Sequence, residues 1–319
     1  MSEAAPPQPE AHAVQRPRGW APGAWLRATM LAYISCAALL AAWRWDGSSA
    51  LLAWALILAA WFPIHLCINA GGLLLARSSE RLAFAAWWRC VLGEWRSSVR
   101  IFLLDQPWLT WRSQPQPLAP QAGTAPVLLL HGYFCNEALW FHLQKRLAAQ
   151  GIVSRAVSLS PAMASIDDLV PQVAEAVDTL RAETGAAQVA ILAHSMGGLV
   201  ARAYLRIHGP AAVAQLITIG SPHQGTKHAR LGLGRNARQM ELNNPWLTAL
   251  AAHEATHPLP PTTVILSRHD NVVAPQDDQT LPGAETLRFS RLGHLALLDD
   301  ARVQATVLLL LSPAETLQK

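Results

Sequence analysis

Ser195 is the residue best placed to do chemistry. It stands in Ala193-His194-Ser195-Met196-Gly197-Gly198, between an apolar run, Val189–Ala193, and a helical stretch, Leu199–Ile207. A serine at such a strand-to-helix turn adopts a strained backbone that thrusts its hydroxyl out of the sheet. Small residues two before and two after let strand and helix approach closely. Gly197 meets that need, and Ala193 adds only a methyl group where glycine is usual. A hydroxyl presented in this way attacks an acyl carbonyl once a base takes its proton. A second pattern, His253-Glu254-Ala255-Thr256-His257, has zinc-protease spacing: both imidazoles would share a helical face, with Glu254 as base. Pro258, Pro260 and Pro261 stop any helix there, and no third ligand follows, so a polar turn is expected instead. No phosphate loop or dinucleotide fingerprint is found, so no cofactor is expected, and no residues are assigned to a metal.

The elements around Ser195 alternate. Val127–Leu130, Ile152–Leu159, Val189–Ala193, Val213–Ile219 and Val264–Ser267 read as buried strands. Glu137–Gln150 and Leu199–Ile207 read as helices between them. Ser165 followed by Asp168 forms a capping-box pattern ahead of the stripe Leu169, Val173, Val177 and Leu180. Strands alternating with helices imply a mostly parallel sheet with helices packed on it. Residues 227–261 form an insertion between two strands, with an apolar helix start at Asn243–Leu247. The linker is expected at Pro107 and the Gln/Pro-rich stretch 113–121, with the catalytic domain running from 113 to 319.

The first third differs in composition. Of the 25 basic and 21 acidic residues in the chain, ten Arg and six acids lie in residues 1–112, which therefore hold the whole net charge of +4. Eleven of 13 Trp also lie there. Mean hydropathy over the chain is +0.19 and charged residues make up 14%, against roughly 25% in average proteins. An apolar, Trp- and Arg-rich segment points to a membrane and not to nucleic acid. Residues 1–19 read as a disordered tail and 20–112 as a membrane region. Ala28–Trp43 and Ala50–Ala76 carry no charge. With Trp25, Leu26 and a snorkelling Arg27 they make a two-helix transmembrane hairpin turning at 44–48. Arg16, Arg18 and Arg27 before it and Arg77, Arg81 and Arg89 after it place both ends in the cytoplasm. The location expected is the inner membrane of a bacterium, with the catalytic domain on the cytoplasmic side. His65 and Asn69, one turn apart, read as a hydrogen-bonded packing pair. Residues 81–104 continue as a basic amphipathic helix that either lies on the membrane surface or packs on the catalytic domain. The four cysteines, Cys36, Cys67, Cys90 and Cys135, form no CxxC and fit a reducing compartment.

From residue 125 onward the chain resembles the α/β-hydrolase family, and specifically the bacterial lipases. Three motifs carry the resemblance. The six residues Ala193–Gly198 are similar to the elbow of the small Bacillus lipases, alanine included. His131-Gly132-Tyr133-Phe134 closes the first strand as in those enzymes. Thr218–Thr226, with Pro222-His223-Gln224-Gly225, follows the strand after the elbow as theirs does. The resemblance implies the α/β-hydrolase fold, and it implies an oxyanion hole from the backbone N–H groups of Met196 and of Tyr133, with Phe134 as the other choice for the first donor. It makes His131 and His223 loop residues and not bases, and it makes the 227–261 insertion, with Trp246 at its helix start, a cap over the acyl pocket. The family order of nucleophile, acid and base then selects Asp270, in Arg268-His269-Asp270-Asn271-Val272-Val273-Ala274-Pro275, with Asp277 or Asp278 as fallback, and His294 in Leu292-Gly293-His294-Leu295. The function so implied is a membrane-anchored serine lipase or esterase acting on lipid or other hydrophobic carboxylic esters. An acyltransferase with the same triad, or a non-catalytic membrane scaffold, are the alternatives.

Overall fold

A computed structural model describes residues 22–78, 80–112, 114–117 and 121–312; the tail expected over 1–19, with Arg16 and Arg18, lies outside them. The two uncharged runs form α1 (Pro22–Arg44) and α2 (Gly47–Ala76), joined through Trp45 and Asp46. At 1.5 Å per residue α2 is about 45 Å long, and both helices are long and apolar enough to cross a membrane. They pack antiparallel: Tyr33 Oη donates to the Ile57 carbonyl (2.6 Å) and Trp54 Nε1 to that of Ile34 (3.3 Å). Arg27 does not snorkel away from the protein; its guanidinium donates to the Pro107 carbonyl.

The basic amphipathic segment is shorter and more broken than its periodicity suggests. It forms α3 (Phe84–Val99), a π-helical turn (Arg100–Asp105) and the three-residue α4 (Gln106–Trp108). Pro107 has no N–H to give the Leu103 carbonyl, which accepts the Trp108 indole N–H instead (3.0 Å). Of the two placements open to this segment, packing prevails. Cys90 and Val91 pack against Leu73 of α2, and Ile101 is fully buried in the core beneath the β-sheet. Burying one such side chain contributes roughly 1.5–3 kcal/mol. Arg81, Arg89 and Arg96 stay exposed on the other side of the segment.

Beyond the linker, β1 (Val127–Leu130), β2 (Ser154–Val157), β3 (Val189–His194), β4 (Val213–Ile219), β5 (Thr262–Ser267) and β6 (Glu285–Phe289) make one parallel sheet in the order β2-β1-β3-β4-β5-β6. Successive side chains alternate between its faces: Leu128 and Leu130 pack under α6 (Ile166–Thr184) and α7 (Met196–His208), Val127 and Leu129 under α5 (Phe141–Ala149) and α11 (Ala301–Leu311). The capping box forms, with Ser165 Oγ accepting the Asp168 N–H (3.2 Å) and Asp168 Oδ2 that of Ser165 (3.3 Å). Strand β6 carries no apolar run in the sequence. It is a half-exposed edge strand with Glu285 and Arg288 facing out, which hides its alternation. The insertion folds as a 3-10 turn (Lys227–Leu231), α8 (Arg235–Gln239) and α9 (Pro245–Glu254); α10 (Ala296–Asp299) precedes α11.

Candidate active site

Ser195 follows β3 and opens α7 with φ 55° and ψ −128°, a left-handed backbone that a non-glycine residue adopts only under strain. Crowding explains the small neighbours. A Cβ on Gly197 would lie 2.6 Å from the Leu130 carbonyl oxygen, and one on Gly132 would lie 2.7 Å from Ser195 Cβ. The turn after β1 is therefore pressed against the serine. His131 holds that turn: its Nε2 accepts the Leu159 N–H (2.8 Å), so its Nδ1–H donates to the Gly132 carbonyl (2.8 Å). Burial pushes the His131 pKa down to about 4, so the ring is a neutral clamp at physiological pH. Tyr133 Oη accepts the Leu233 N–H (2.7 Å) and donates to the Leu233 carbonyl (2.6 Å), tying the turn to the insertion. Met196 is the first residue of α7, so its N–H has no acceptor within the helix.

Asp270 follows β5, and His294 follows β6. His294 Nδ1 and Asp270 Oδ2 are 2.8 Å apart and both residues are buried. The other carboxylate oxygen accepts the N–H groups of Val272 (2.8 Å) and Val273 (2.7 Å). Asn271 Oδ1 accepts the His294 N–H (2.9 Å). This pairing puts the proton of the neutral imidazole on Nδ1 and leaves Nε2 as a base. Burial lowers the His294 pKa, but the charge and hydrogen bond of Asp270, joined by the charge of Glu94, outweigh it and leave it raised. Asp277 instead faces Arg268 and Arg288. The imidazole of His294 lies against that of His194, which adjoins the nucleophile, with centroids 4.6 Å apart and the ring planes tilted by 44°. Among the described residues Ser195 Oγ forms no hydrogen bond, so its contact with the imidazole is not closed; such contacts tighten with substrate bound.

Glu94 was not singled out from the sequence. It projects from α3, is 3% exposed, and its carboxylate accepts the N–H groups of Leu295 (2.9 Å) and Ala296 (2.8 Å), the two residues after His294. A Cβ on Gly293 would lie 2.5 Å from Glu94 Oε2, so only glycine fits before the histidine. Burial pushes the Glu94 pKa up to about 7 against the pull of those N–H groups and of His294. The signal lay in one acidic residue among the apolar positions of an amphipathic helix, and its partners are about 200 residues away.

The zinc-like pattern is otherwise employed. Glu254 closes α9 and takes both sides of the fully buried Arg202 guanidinium (2.8 and 2.7 Å), which also donates to the His223 carbonyl (3.1 Å). His223 is bonded to Thr218 (2.9 Å), and burial holds its pKa well below the usual imidazole range. Among the described residues no three His, Cys, Asp or Glu side chains converge to hold a metal ion.

Ser195 opens into a largely apolar cavity of about 610 Å³. Tyr133 and Met240 line it with Leu231 and Ala237 of the insertion. The expectation that Trp246 covers this space is not met. Its indole donates to Asp167 (2.7 Å) and packs on the α6–α7 side of the core, away from the cavity lining. The sheet order, the elbow and this cavity decide the fold. The chain has an α/β-hydrolase fold. In the mature Bacillus licheniformis lipase BlEst2, 96% of the chain superposes on 62% of this one, with a TM-score of 0.56 and 15% identity. Aspergillus fumigatus lipase B gives a TM-score of 0.51 at 18% identity, covering 60% of this chain and 54% of that one. Residues 126–257 match a family described as palmitoyl protein thioesterase. A triacylglycerol lipase of Burkholderia plantarii is 33% identical over 134 residues, 38% of this chain and 37% of that one. One of Pseudarthrobacter phenanthrenivorans is 34% identical over 114 residues, 33% of this chain and 35% of that one. The chain thus spans little more than a third of the length of these curated relatives.

Proposed function

We propose that this chain is a membrane-anchored serine hydrolase that cleaves carboxylic esters of lipids or other hydrophobic substrates. Ser195 is the nucleophile, His294 the base and Asp270 the acid, with the N–H groups of Tyr133 and Met196 as oxyanion donors. Ser195 Oγ attacks the ester carbonyl as His294 Nε2 takes its proton. The carbonyl oxygen becomes an oxyanion held by the two donors, each worth on the order of 3 kcal/mol. The ester C–O bond then breaks and His294 returns the proton to the leaving alkoxide. Water, deprotonated by His294, releases the acid and restores the serine. The observation that carries this reading is a 2.8 Å imidazole–carboxylate pair and a strained serine at the same C-terminal edge of the sheet. The thioesterase match over 126–257 favours thioesters as the second substrate class, through the same acyl-enzyme with a thiolate leaving group. No comparable observation favours an acyltransferase or a scaffold.

A fluorophosphonate probe is expected to label the wild-type protein and not Ser195→Ala. Hydrolysis of a long-acyl nitrophenyl ester should fall by at least about 10⁴-fold in that variant. Absence of labelling in folded wild-type protein would falsify the reading.

The hairpin α1–α2 supports anchoring in the inner membrane of a bacterium, with Arg77, Arg81 and Arg89 holding the hydrolase on the cytoplasmic side. A reporter fused after Lys319 is expected to be active only if it works in the cytoplasm; periplasmic phosphatase activity from such a fusion overturns the orientation.

A further inference from the structure

The cavity at Ser195 is not closed by the hydrolase alone. One stripe of α2, made of His65, Ile68, Asn69, Gly72 and Leu75, forms its opposite wall. These positions recur at helical spacing on one face. Ile68 and Leu75 are 65% and 64% exposed although they line the cavity. The wall is therefore open on the flank of a helix that is long and apolar enough to cross a membrane. Gly72 makes this close approach possible: a Cβ there would lie 3.1 Å from the Asn271 carbonyl oxygen, beside Asp270. The stripe lies in the C-terminal half of α2. A helix of about 45 Å exceeds a hydrocarbon core of about 30 Å, so this end reaches the boundary where lipid ester carbonyls lie while their chains continue into the core. A second apolar cavity of about 510 Å³, between α1 and α2, shares Phe102 with the first and extends the apolar path along the hairpin.

Building on the serine-hydrolase reading above, we propose that the substrate is a long-chain acyl ester lipid resident in the bilayer. It reaches Ser195 sideways, its acyl chain lying along the His65–Leu75 stripe of α2, without passing through water. The anchor is in this way part of the substrate site. Ile68 and Leu75 select for chain length, and the ester carbonyl meets Ser195 at the membrane boundary.

The test uses the full chain reconstituted in phosphatidylcholine vesicles with pyrene-labelled diacylglycerol. The label sits either in the enzyme's own bilayer or in separate vesicles. Lateral entry requires hydrolysis at least about tenfold faster from the shared bilayer; equal rates from both overturn it. Ile68→Trp and Leu75→Trp put bulk into the wall from its open side. Filling the wall in this way is expected to lower hydrolysis of the bilayer lipid roughly 5- to 150-fold and to lower the ratio of bilayer-lipid to soluble-butyrate hydrolysis with it. Leu74→Trp, at a position equally exposed at 64% but outside the lining, is the control and should change neither. Wild-type rates on the bilayer lipid in both cavity variants, or equal losses on lipid and butyrate, overturn the proposal. Wild-type protein that neither labels nor cleaves butyrate refutes the serine-hydrolase reading instead, so the two failures are distinguishable.

Discussion

Glu94→Ala is expected to lower kcat by about 100-fold per active site. The alanine strands two buried N–H groups, those of Leu295 and Ala296, at about 1–3 kcal/mol each. It also empties the space beside Gly293, and the segment carrying His294 loses its support. A displacement of about 1 Å in a catalytic group is enough for a loss of that size. Rates normalised to fluorophosphonate-titrated sites separate this from simple unfolding, which removes sites but leaves kcat per site unchanged. Glu94→Gln supplies the second readout. It keeps an acceptor for the N–H groups but removes the negative charge facing His294, which Glu94, with its pKa pushed up to about 7, carries only in part at neutral pH. The groups around that imidazole are Asp270, Glu94 and His194, and both carboxylates favour its protonated form. Removing one of them lets His294 lose its proton at lower pH. The acid limb of kcat/KM is then expected to move down, with kcat at neutral pH reduced only several-fold. Wild-type kcat per site in Glu94→Ala excludes the positioning role.

Asp270→Asn should have the larger effect, a fall of about 10³–10⁴ in kcat/KM. The asparagine can still accept the Val272 and Val273 N–H groups, so the loop stays in place. Its amide nitrogen, however, would meet Nδ1 as a donor and force the imidazole proton onto Nε2, where the base is needed. The pH profile carries a further sign. His294 acts as base only when neutral, and its raised pKa places the acid limb of the wild-type profile above the ordinary imidazole value of 6.5. Activity falls as pH drops through that limb. In the variant the burial that lowers the pKa remains while the largest opposing influence is gone, so the residual activity should persist to lower pH. An unshifted limb, or a loss under tenfold, removes Asp270 from the acid's position.

Much of this arrangement was legible because local chemistry dictates it. The elbow is a property of six consecutive residues, and its crowding by Leu130 and His131 explains why Gly197 must be small. The capping box and the buried strands likewise declare themselves in a few adjacent positions. What was not legible depends on distance in the chain. Glu94 acquires its role only when α3 docks beside α10, and a lone carboxylate on an amphipathic helix reads as an exposed one. The edge strand β6 has too little burial to show a pattern. Trp246 suggested a cap over the acyl space because it opens the apolar helix of an insertion that caps that space in the family the sequence resembles. Its bond to Asp167 turns it toward the other side of the insertion.

The docking of α3 also shifts where the chain divides. Composition changes near residue 112, yet the bonds from Glu94 to the residues after His294, together with the burial of Ile101, stitch everything from Phe84 onward into the sheet domain. The natural breakpoint is the short segment after Ala76. A fragment begun at the compositional border would leave behind the carboxylate that steadies its own base, whereas one begun at α3 would carry it along.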